Sequence, residues 1–63
     1  MFENHLYNIV NQLAQEHKSL WRIKQMYKKD AGDCAACKAF WDTMEVDKES
    51  HVAELRELVK SHI

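Results

Sequence analysis

The sequence has no proline and a single glycine, Gly32, in 63 residues. Turns are therefore scarce, which argues against a fold of many short strands and loops. Two cysteines, Cys34 and Cys37, are too few for a disulfide framework. Charge of one sign is also lacking. Nine Lys+Arg stand against ten Asp+Glu, for a formal net charge of -1, and the signs are interspersed. Such a surface offers no basic field to nucleic acid or to anionic membranes, so neither is expected as a partner. The stretch Met1-Phe2-Glu3-Asn4-His5 shows no cationic region followed by an apolar one, so a cytoplasmic location is expected, with both thiols reduced.

What the chain does have is 46% hydrophobic and 30% charged residues, the balance of patterned helices with little loop. A chain this short buries roughly 60% of the surface that its unfolded form exposes. Without disulfides, the usual remedy for so small a core is association.

Apolar residues in the first half recur as Phe2, Leu6, Ile9, Leu13, Leu20, Ile23 and Tyr27, in alternating three- and four-residue steps once position 16 is filled in. That period predicts an amphipathic helix. A second line, Tyr7, Val10, Ala14 and Trp21, widens its apolar face beyond what one partner helix covers. Lys28 and Lys29 suit the negative end of a helix dipole, and Gly32 suits the left-handed residue that closes a helix. Asp33 is the expected N-cap of the next helix. That helix carries Cys37, Phe40, Trp41, Met44, Leu55, Leu58 and Val59 on a broad face, with Ala39, Val46 and Ala53 as a weaker line.

The expected fold is all-α: a single antiparallel two-helix hairpin over residues 1–63, with helix one about 2–30, turn 31–32 and helix two about 33–62. Each helix is about 42 Å long at 1.5 Å per residue. Two wide faces predict that the hairpin dimerises into a four-helix bundle, as a homodimer or a higher homo-oligomer.

Each apolar stripe has one polar interruption at its middle. In helix one it is Glu16, seven residues from Ile9 and from Ile23; in helix two it is His51, seven from Met44 and from Leu58. Folding the chain at the turn sets Glu16 level with Asp47 and within about one helical turn of His51. Buried charges persist only when paired, hydrogen-bonded or bound to metal. Two readings follow. In one, Glu16 and His51, with Lys48, form a satisfied polar layer that fixes register. In the other, Glu16 and His51 ligate a metal such as iron or zinc, with Asp47 or His17 as helpers.

The stretch Met44-Glu45-Val46-Asp47-Lys48-Glu49-Ser50-His51-Val52-Ala53-Glu54-Leu55, with Glu16 one hairpin earlier, resembles the ferritin-like superfamily, particularly rubrerythrin-type members and short hairpin ferritins that dimerise. The resemblance implies a four-helix bundle with iron held by a glutamate from one helix and Glu-x-x-His from the next. Glu16 and His51 match that pattern, whereas Lys48 stands where the motif has its glutamate. A lysine there can neutralise Glu16 without any metal. A second stretch, Leu13-Ala14-Gln15-Glu16-His17-Lys18-Ser19-Leu20, is similar to the Glu-His helix of hemerythrin-like domains. His5 and His62 are expected to be exposed at the open end.

Cys34-Ala35-Ala36-Cys37 places two thiols at the start of helix two, where backbone NH groups lower a thiol pKa, so Cys34 is the more reactive of the two. The spacing serves a redox pair or half a zinc site, and equally a Cys37 that packs as a small apolar residue beside a partly exposed Cys34. Trp21 and Trp41 are expected to meet across the hairpin, supporting self-association more than ligand binding. Three functions remain open: a metal-binding ferritin-like protein, a non-catalytic oligomerisation or partner-binding module, and a thiol switch. No catalytic residue set emerges.

Overall fold

The computed structural model describes residues 4–63 and is a two-helix antiparallel hairpin, about 47 × 17 × 13 Å. Phe2, and the expected helix start at residue 2, lie outside the described residues. The first helix is α-helical over Asn4–Arg22, passes through a π-helical segment Ile23–Tyr27, and ends in the turn Lys28–Asp30. The second runs Ala35–His62.

The π segment was not expected. Backbone angles at its two flanks, Arg22 and Lys28, are ordinary right-handed helix, so the chain continues through it, with the Lys28 NH reaching back to the Ile23 carbonyl. In an unbroken α-helix Lys28 would sit about 120° around the axis from Glu16, at about 100° per residue. The one extra residue that a π turn takes up returns it to within a few tens of degrees. Lys28 consequently reaches the second helix, and its Nζ lies 2.7 Å from carboxylate oxygens of both Asp42 and Glu45. These two anions hold the lysine pKa above its ordinary value, Asp42 first.

Gly32 closes the first helix as expected, with φ +57°. The Ala31 NH donates to the Tyr27 carbonyl and the Gly32 NH to the Lys29 carbonyl, which occupies carbonyls that the helix end leaves free. The cap of the second helix differs from expectation. Cys34, not Asp33, is the N-cap: its backbone is extended (φ -76°, ψ 97°) and its Sγ accepts from the Cys37 NH at 3.3 Å. The Cys34 NH in turn donates to the Ala31 carbonyl, so the turn spans one residue more than Asp33 capping would allow.

Between the helices, Ile9, Ile23 and Val52 are buried, together with Glu16. Ile9, Glu16 and Ile23 form one seven-residue line. Across from it the second helix presents Trp41, Lys48, Val52, Leu55 and Val59, all at least half covered. Val52 was absent from the faces read from sequence. Trp41 packs on Tyr27, ring centroids 4.9 Å apart, and on Phe40 at 5.3 Å, rather than on Trp21. The reason is rotational: Trp21 lies about 140° around the first helix from Glu16, on the second apolar line. It is 58% exposed.

Candidate functional site: a buried carboxylate between the helices

Glu16 takes a core position because it sits between Ile9 and Ile23 on the inward line, and only 7% of it is exposed. Its two oxygens have different partners. Lys48 Nζ donates to Oε2 at 2.7 Å, and His51 Nδ1 lies 2.9 Å from Oε1. Lys48 and His51 are three residues apart on the second helix, so both arise from one face. The Lys48 hydrogen bond holds the Glu16 pKa below the ordinary glutamate range, against the upward push of burial, and His51 adds to the lowering. Among the described residues no buried side-chain polar atom lacks a partner.

Sequence reasoning expected Glu16 and His51 to meet, and they do. Asp47 and His17, proposed as helpers, are both exposed, and neither is among the partners of Glu16. Lys48, one residue along, holds the place level with Glu16. The signal for it lay in the seven-residue line Trp41, Lys48, Leu55, which reads as a stripe once the lysine is allowed into it. No group of three or more His, Cys, Asp or Glu side chains suited to a metal ion is present among the described residues.

An open groove of about 290 Å³ runs alongside, lined by Gln12, Glu16, His51, Glu54, Leu55 and Leu58. At the open end of the hairpin the exposed His5 and His62 rings meet edge to face, centroids 5.0 Å apart.

At the turn, both cysteines are exposed and free. The expected packing of Cys37 as a covered apolar residue is not what the structure shows. Cys37 does line the second groove, about 230 Å³, with Tyr27, Asp30, Ala31 and Trp41. The Cys34 thiol pKa is pushed down, first by the Cys37 side chain and then by the Cys37 backbone NH, whereas Cys37 is pushed up by Cys34.

No family model, curated protein or solved structure matches this chain. The ferritin-like resemblance therefore rests on the quoted residues alone, and what the structure carries of it is the antiparallel helical hairpin. Among the described residues, no helix is long and apolar enough to cross a membrane.

Proposed function

We propose that this chain is a self-assembling helical module: two hairpins pair into a homodimeric four-helix bundle of ferritin-like form, and the Glu16–Lys48–His51 layer sets the register of the two helices within each hairpin. The observation that carries the reading is how little the hairpin covers. Among the described residues, Tyr7, Trp21, Met26, Phe40, Val46, Leu58 and Ile63 are exposed large apolar residues, against three buried ones. The accessible surface is 4818 Å², whereas a compact monomer of this mass exposes about 4,200 Å². The excess approaches the ~800 Å² that one partner contributes to a standard interface. A second copy is the favoured occupant because a chain of formal charge -1 meets little repulsion from itself, and because matched antiparallel hairpins close a bundle without further parts.

A structural role for the layer is supported by its donor set. Lys48 supplies to Glu16 the positive charge that a metal would otherwise supply, and the carboxylate has no unshared oxygen left to offer. With Lys48 standing where the ferritin-like motif has a glutamate, a salt bridge takes the place of an iron or zinc ligand.

Light scattering across micromolar concentrations tests the assembly. The expected mass is twice the 7.5 kDa of one chain, reverting to one chain in Phe40→Ser combined with Trp21→Ser. A clean monomer throughout would overturn the reading, as would a stable complex formed only with a different protein. Metal analysis of the same untagged sample tests the layer. Iron or zinc present in the wild type and lost in Glu16→Ala and His51→Ala would replace the structural role with metal handling.

A further inference from the structure

The Cys34/Cys37 pair takes no part in the assembly just proposed, yet its geometry is specific. Cys34 stands at the N-cap of a 28-residue helix, with its sulfur 3.3 Å from the NH of Cys37, three residues on. A sulfur held on a free backbone NH at the positive end of a helix is stabilised as thiolate. Cys37 is the third residue of that helix, and its pKa is displaced in the opposite direction. The two sulfurs are therefore unequal, one suited to attack and the other held back as a thiol. Both are exposed. The shallow groove that Cys37 lines is walled by Tyr27, Ala31 and Trp41, with the Asp30 carboxylate among them, and leaves Cys34 outside it.

We infer that Cys34 and Cys37 form a dithiol–disulfide exchange site, in which Cys34 attacks an exposed low-molecular-weight aliphatic disulfide and Cys37, at the rim of the Tyr27–Trp41 groove, resolves the product. In the first step the Cys34 thiolate attacks one sulfur of RS–SR. A Cys34–S–S–R bond forms, the S–S bond of the reagent breaks, and RS⁻ leaves to take a proton from water. In the second step Cys37 gives its proton to solvent and attacks the Cys34 sulfur, which expels the second RS⁻. The dithiol loses two electrons and two protons, and the reagent becomes two RSH. The backbone NH of Cys37 serves the first step by holding the attacking sulfur as an anion. The second needs no large movement, because the residues are one helical turn apart.

Hydroxyethyl disulfide is the probe, with whole-protein mass and non-reducing electrophoresis as readouts. Wild-type protein is expected to lose two hydrogens and stay the size of a single chain under denaturing conditions. Cys37→Ser is expected to stop at a mixed disulfide carrying one hydroxyethylthio group on Cys34, and Cys34→Ser to react at least ~10-fold more slowly at neutral pH. Serine is itself a good N-cap, so Cys34→Ser keeps the helix start and isolates the chemistry.

Three results would overturn the inference. One is faster modification of Cys37 in Cys34→Ser than of Cys34 in Cys37→Ser. Another is oxidation that yields chain-to-chain disulfides in place of the internal one. The third is zinc bound by both thiols of the untreated protein. The oligomer measurement above is independent of all three, so failure here leaves the assembly untouched.

Discussion

Val52 and Phe40 lie on the same helix and are both apolar, yet Val52 is 8% exposed and Phe40 57%. Each belongs to one of two neighbouring lines. Trp41, Lys48, Val52, Leu55 and Val59 turn toward the first helix; Phe40, His51 and Leu58 stand at its edge or beyond, and all three count as exposed. The first helix divides in the same way, with Ile9, Glu16 and Ile23 inside and Tyr7 and Trp21 outside. A pair of helices covers about one line on each, because a third direction of contact needs a third helix. The inner lines hold the hairpin together, and the outer ones are left for whatever joins it. Substitutions on the two should therefore differ in kind as well as in size.

The largest effect is expected inside. Among the described residues Ile23 is the most completely buried side chain, 1% exposed. Ile23→Ala should cost about 2–4 kcal/mol, from lost burial and the cavity left behind. For so small a domain that is a large part of its whole stability, and urea unfolding followed by circular dichroism should show a mostly unfolded chain. Phe40→Ala should leave the helical content of a dilute sample nearly intact. Its effect should grow with protein concentration, since it removes contact area that only an associated state uses. Equal losses at all concentrations for both variants would erase the distinction between inner and outer lines.

Glu16 is the next test, because it is polar on the inner side. Its native pKa lies below its unfolded value of about 4.5. The stability that its pairing provides is therefore fully present above that value and is lost as pH falls through it toward the lower native one. Glu16→Gln keeps the shape but gives up the charge that binds Lys48, and should cost about 1–2 kcal/mol near neutral pH. It should also flatten the acid limb below about pH 5 in urea titrations run at stepped pH. An unchanged acid limb would mean that the layer is loose in solution.

How much of this was legible beforehand depended on what each residue had to decide. The turn was readable because only one residue in the chain takes a positive φ without strain, and that is Gly32. The meeting of Glu16 and His51 was readable because each interrupts a seven-residue apolar line at the same distance from the turn. That Lys48, and not the expected Asp47, would be level with Glu16 was not. On a helix with two adjacent apolar lines, a rotation of one residue exchanges them, and the partner helix settles which one faces in. The same ambiguity hid Val52 and paired Trp41 with the wrong aromatic. The π turn that brings Lys28 across to Asp42 and Glu45 leaves no mark in a periodicity argument, since the contacts it permits lie 14 and 17 residues away in the chain. Cys34 displaced Asp33 as cap because the closing bonds around Gly32 decide which residue is the last extended one.

The smallest effect belongs to the turn, which joins the two sets of lines but takes no part in either. A Cβ added to Gly32 would meet nothing within 4 Å, so Gly32→Ala tests backbone conformation alone. At φ +57° the left-handed region should cost alanine about 1 kcal/mol. Asparagine tolerates that region better than alanine does, so Gly32→Asn should recover part of the loss. The measurement is the urea midpoint of each variant at one protein concentration, with light scattering alongside. Because the outer lines do not involve this residue, the association state should be the same in all three proteins even as the midpoint moves. A change in oligomer size on substituting Gly32 would mean that the turn end lies in the interface, and the outer lines would then have to be redrawn to include it.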